Sequence, residues 1–132
     1  MRLAWVLTLA LFAAVARGAE LPAEFLKALH QVETGGKTGP VVGDKGKALG
    51  PFQIHRAYWQ DAGVPGSYEA CQDYDYAVKV VTAYLNRYVP AAVRDRNYEV
   101  LARTHNGGPK GASNPKTLGY WQKVKAQLDK MR

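Results

Sequence analysis

The sequence predicts an α+β fold, mainly helical, with a small β-hairpin beside a cleft. Three observations lead there. Apolar residues recur at helical spacing along most of the chain, most clearly where Ala77, Val80, Val81, Tyr84, Leu85 and Tyr88 form one stripe. Residues 37–50 break that rhythm with Gly39-Pro40 and Gly43-Asp44 turn signals around Val41-Val42, which suits a short two-stranded element. A length of 132 residues allows one core and no second one.

The first nineteen residues are of another kind. Arg2 supplies a positive start, Leu3 to Val15 is apolar, and Ala16-Arg17-Gly18-Ala19 offers small residues for cleavage. This reads as a secretory signal over residues 1–19, too short and too lightly flanked for a permanent membrane span, with an uncleaved anchor as the alternative. Residues 20–132 would then form the domain, working outside the cell or in the periplasm of a Gram-negative source. Without Arg2 and Arg17 the net charge falls from +7 to +5. A basic secreted protein is drawn to polyanions such as wall polymers. Its Lys and Arg residues are scattered rather than clustered with aromatics, so nucleic acid is not expected as a partner. Cys71 stands alone, so no internal disulfide can form. His30, His55 and His105 lie far apart and no Cys-x-x-Cys or His-Glu-x-x-His occurs, so neither metal nor cofactor is expected. The expected state is a monomer.

In chain order, Leu21 to Thr34 reads as a helix with Pro22 in its first turn, Phe25, Leu29 and Val32 on one face, and Gly35-Gly36 as its stop. Glu33 falls in the last turn, at the edge of that apolar face, where the helix end and its neighbours favour a carboxyl that holds its proton. Asp44, eleven residues later, lies in the turn-rich segment. Two carboxyl groups in unlike settings are what acid/base cleavage of an acetal needs. Taken singly, each also fits an ordinary role, an exposed helix-end Glu and a turn Asp.

Pro51 to Asp61 reads as a second helix ended by Gly63, with Gln53 a polar group between Phe52 and Ile54, suited to a sugar amide or hydroxyl or to a backbone partner. The longest helix spans about Asp73 to Val89, its tyrosines serving packing, and Pro90 ends it. A short helix from about Asn97 to Thr104 leads into His105-Asn106-Gly107-Gly108-Pro109, either a ligand-approaching turn or a plain helix terminator. Asn114-Pro115 caps a last helix to about Lys130, with Trp121, Val124 and Leu128 inward.

Gly50-Pro51-Phe52-Gln53-Ile54 followed by Tyr58-Trp59, then His105-Asn106-Gly107-Gly108-Pro109 and Gly119-Tyr120-Trp121, resembles the invertebrate-type (i-type) lysozyme, or destabilase, family. Pro65-Gly66-Ser67 and Asn86-Arg87-Tyr88 stand in the expected order, so the resemblance covers about Leu29 to Leu128. It implies a lysozyme-like α+β fold and hydrolysis of the β-1,4 bond between N-acetylmuramic acid and N-acetylglucosamine in peptidoglycan or a related N-acetylated glycan. It makes Glu33 the catalytic acid and Asp44 the nucleophile or stabiliser of the oxocarbenium ion, with retention at the anomeric carbon. The expected substrate-binding residues are Phe52, Gln53, Ile54, Tyr58, His105, Asn106 and Gly107. The chain departs from the family in having one cysteine where members usually carry many. Its interval from Asp44 to Gly50 is one residue shorter, and Lys47 replaces the serine to which some members' isopeptidase activity is credited.

Two other readings compete. A lytic transglycosylase would use Glu33 alone, leave Asp44 as a turn residue, and release 1,6-anhydromuramic products. A glycan-binding module would keep the cleft without turnover, which the presence of both carboxylates disfavours.

Overall fold

The computed structural model describes residues 18–132. All of the expected leader except Gly18 and Ala19 lies outside them. The architecture is mainly helical with a small antiparallel sheet, as the sequence predicts. Helix α1, Ala23–Thr34, starts after Pro22 and buries Phe25, Ala28 and Leu29. It stops at Gly35, whose φ of 69° is a left-handed conformation open to glycine at little cost.

The turn-rich segment forms strands β1 (Val42–Gly43), β2 (Ala48–Leu49) and β3 (Ile54–His55), paired antiparallel in that order. Val42 faces Leu49, and Ala48 faces His55. The third strand corrects the expected helix from Pro51. Gly50 donates its N–H to Val41 O at 2.8 Å and accepts from Gln53 N at 3.0 Å, closing a turn that hands the chain to β3. Pairing with β2 therefore overrides the local helical pattern, and helix α2 covers only Arg56–Ala62.

Helix α3, Tyr74–Tyr88, is capped by the Asp73 side chain and buries Ala77, Val80, Val81, Tyr84 and Leu85. Pro90 ends α3 and also opens a further helix, α4 (Pro90–Asp95), since a missing N–H costs nothing in a first turn. Helix α5 runs Tyr98–Gly107, so His105, Asn106 and Gly107 complete a helix rather than forming the expected turn. A 3₁₀ turn at Pro115–Thr117 precedes helix α6, Leu118–Lys130. Helix α6 packs against both α1 and α5, and α2 packs against α3. Phe25, Leu29, Phe52, Val81, Leu101 and Val124 meet in one core.

No helix among the described residues is long and apolar enough to cross a membrane.

Candidate active site

A cleft of about 310 Å³ opens between the end of α1, the sheet and the end of α5. Glu33, Asp44, Ala48, Gln53, His55, Tyr58, His105 and Asn106 line it. A larger groove of about 820 Å³ lies elsewhere, beside Leu21, Leu26 and α3, but Glu20 is its one carboxylate. Of the two, the smaller cleft joins two acidic groups, Glu33 and Asp44.

Glu33 reaches the cleft because the left-handed Gly35 stops α1 just after its last turn, while Leu29, one turn earlier, is anchored in the core. Its side chain is 16% exposed, and its Oε2 lies 3.9 Å from Nε2 of His105. The imidazole is buried and tied at its other nitrogen, with Nδ1 at 2.8 Å from the Tyr58 hydroxyl. Tyr58 in turn stacks on Tyr84, ring centroids 3.7 Å apart. Burial, and then the neighbouring Tyr84 and Glu33, push the Tyr58 pKa well above its ordinary value. The phenol therefore keeps its proton, and its contact with Nδ1 holds the ring with Nε2 turned to the Glu33 side.

Tyr120 of α6 adds a second phenol beside the same carboxylate. Burial and the charge of Glu33 hold its pKa well up. Its oxygen is buried without a completed hydrogen bond. Such an atom is costly to desolvate, and it leaves a donor available to Glu33.

The opposite side is built differently. Asp44 takes a φ of 47° and Lys45 of 55°, in a tight turn between β1 and β2. Gln53 has a φ of 51°. Three non-glycine residues in the left-handed region concentrate strain in this wall, a common property of functional turns. The Asp44 side chain is 59% exposed and its Oδ2 lies 3.3 Å from Nε2 of His55. Gln53 donates its amide to Gly50 O at 3.0 Å and lies so close over Gly43 that a Cβ there would meet Gln53 Oε1 at 1.9 Å.

A buried polar cluster holds the loop that follows α5. Arg103 donates to Thr117 Oγ1 at 2.8 Å, to Glu99 at 2.9 Å and to Asn114 O at 3.2 Å. Gly111 sits against the Arg103 carbonyl, where a Cβ would come within 2.0 Å. This clamp is adjacent to His105 and Asn106 and fixes their approach to the cleft.

Of the expected site residues, Glu33, Asp44, Gln53, Tyr58, His105 and Asn106 meet in this cleft. Phe52 and Ile54 are packed in the core with 0% and 1% of their surface exposed, so they support the wall from behind. Gly107 lies against Thr117 at the end of α5. Residue-by-residue reading missed His55 and Tyr120 as site residues. The first was legible in principle, since strand alternation puts His55 on the face opposite the buried Ile54. Reading the segment as a helix hid that alternation. Among the described residues no group of three or more His, Cys, Asp or Glu side chains could hold a metal ion.

The Destabilase family model matches residues 23–127. The chain is 49% identical over 82 residues to a lysozyme of Magallana gigas, covering 61% of this chain and 60% of that protein. It is 48% identical to a lysozyme of Ostrea edulis with the same coverage. The match thus spans about 60% of the length of these curated relatives. Among solved structures, the inhibitor-bound lysozyme from Meretrix lusoria superposes with a TM-score of 0.68 at 34% identity, over 83% of this chain and 92% of that one. The Tapes japonica lysozyme gives 0.67 at 34% identity, over 81% and 90%. Fold, family model and relatives agree, and the chain belongs to the invertebrate-type lysozyme, or destabilase, family.

Proposed function

We propose that the protein is a lysozyme, a glycoside hydrolase that cleaves the β-1,4 bond between N-acetylmuramic acid and N-acetylglucosamine in peptidoglycan. The observation that carries this reading is the meeting of Glu33 and Asp44 in one cleft, one largely buried and the other open to water. Lysozyme relatives from Magallana gigas and Ostrea edulis support the same assignment.

In this mechanism Glu33 gives its proton to the bridging oxygen as the bond from that oxygen to the anomeric carbon breaks. The His105 imidazole, held by Tyr58 with Nε2 3.9 Å from Glu33, steadies the carboxylate that remains. Asp44 forms a bond to the anomeric carbon, or stabilises its positive charge, from the opposite wall. Water then attacks that carbon on the Glu33 side and gives a proton to the Glu33 carboxylate, while any bond to Asp44 breaks and frees its carboxylate, so configuration is retained. Gln53 and Asn106 supply polar contacts to the sugar. His55, beside Asp44, orients the second carboxylate. We further propose export under the residue 1–19 leader, which would bring the enzyme to its wall substrate.

Mass spectrometry of digested peptidoglycan tests the assignment. Reducing ends are expected, and Glu33→Gln should remove them. Products one water lighter, with 1,6-anhydro ends, would replace hydrolysis by transglycosylation. Binding without any new ends would leave a glycan-binding module.

A further inference from the structure

Next to the catalytic cleft, across His55, lies a second hollow of about 380 Å³ lined by Gly46, Lys47, His55, Arg56, Ala57 and Tyr68. Its chemistry differs from that of the cleft. No Asn, Gln, Ser or Thr lines it, its Tyr68 hydroxyl is engaged with backbone oxygens, and Lys47 and Arg56 stand in its wall. Neutral sugar rings are gripped by amides and hydroxyls, while paired cations in a hollow select an anion.

Arg56 lies against an aromatic face, and the backbone that carries Lys47 is tied down. The Arg56 guanidinium lies 4.5 Å from the centroid of the Tyr68 ring. Tyr68 donates its hydroxyl to Ile54 O at 2.7 Å and lies 3.1 Å from Lys47 O, so one side chain ties β3, the β2 entrance and Arg56 together. Lys47 has no ion-pair partner among the described residues. Glu69 is the acidic neighbour, 3.9 Å from Arg56 at an exposed, loose distance that leaves the guanidinium free to take a better partner. Asp44 faces the other side of His55.

We propose that this hollow is a subsite for the carboxylates of the peptide branch carried by N-acetylmuramic acid, a reading that rests on the peptidoglycan assignment above. His55 is then the shared partition. It orients Asp44 on one face and borders the peptide branch on the other, so glycan cleavage and recognition of the branch are adjacent. Lys47 and Arg56 would pair with carboxylate groups, Arg56 presenting its fork while stacked on Tyr68.

The test compares two polymers with the full chain: peptidoglycan freed of phosphate-bearing wall polymers, and the same strands stripped of peptide by an amidase. K47Q/R56Q should raise KM about tenfold on the peptide-bearing polymer and reduce co-sedimentation with it, with a much smaller effect on stripped strands. K47R, which keeps the charge, should hold KM on the peptide-bearing polymer near the wild-type value, and unchanged thermal unfolding of K47Q/R56Q shows that the fold is intact. An equal loss on both polymers, or no loss on either, overturns the subsite. So does a loss seen only on walls that keep their phosphate polymers. If the wild type releases no ends from either polymer, the hydrolase reading fails. Co-sedimentation then still decides the subsite, since equal retention of wild type and variant on the peptide-bearing polymer would overturn it.

Discussion

Glu33 and Asp44 line the same cleft, yet their side chains are 16% and 59% exposed. The Glu33 wall is made of helix ends packed on the core, with His105, Tyr58 and Tyr120 as a buried polar shell. The Asp44 wall is a three-strand turn of short pairs, with positive φ at Asp44, Lys45 and Gln53. The contrast fits the role proposed for each group. A proton donor gains from a dry, fixed setting in which little reorganisation accompanies transfer. A carboxylate that must be ionised when the sugar cation develops gains from water and a single imidazole neighbour. Helix ends supply the first setting, and a strained surface turn supplies the second.

The sharpest break of this contrast is Glu33→Gln, which keeps shape and removes the transferable proton. Reducing-end release should fall by about 10²–10⁴-fold, with thermal stability kept. Asp44→Asn should cost somewhat less, about 10²–10³-fold, because it removes charge stabilisation while leaving the acid in place. Equal retention of activity in this variant would dissolve the two-wall account and favour the single-acid alternative.

Two glycines separate the walls by stability instead. Gly111→Ala drives a methyl into the Arg103 carbonyl, and backbone cannot yield cheaply, so denaturant unfolding should show a loss of about 1–3 kcal/mol. Gly43→Ala meets only the tip of the Gln53 side chain, which can swing away. It should lower activity by displacing Gln53 and leave the unfolding midpoint nearly unmoved. A reversed pattern would mean that the sheet, not the helical side, is the rigid wall.

The smallest effect concerns alkali. Burial raises Cys71 from 9.0 to about 11 and Tyr84 from 10.0 to about 12. The unfolded chain releases these protons first, so stability is flat with respect to them below pH 9 and falls as pH rises through 9 to 12. Denaturant titrations at stepped pH should show this decline. Cys71→Ala should flatten its early part whatever it does to the absolute level.

Much of the helical side was legible in the chain. The α3 stripe, the helix starts near Asp73 and Asn97 and the Gly35 stop each rest on local chemistry, and local rules located them within a residue or two. Misreadings gathered where a distant partner decides. Gln53 to His55 carries a helical pattern but becomes turn and strand because β2 offers hydrogen bonds. His105 and Asn106, next to two glycines, look like a loop but finish α5, where Thr117 packs on Gly107 and Arg103 holds the following loop.

The sequence by itself determined the helical periodicity, the two carboxylates in dissimilar surroundings, and the ordered motifs that mark the family, because each is written within a few neighbouring residues. Only the tertiary structure decided which polar groups share the cleft, that Phe52 and Ile54 lie behind it, and that His55 and Tyr120 border the two acids. Those outcomes depend on contacts between segments far apart in the chain, where packing and pairing energies outweigh local preference.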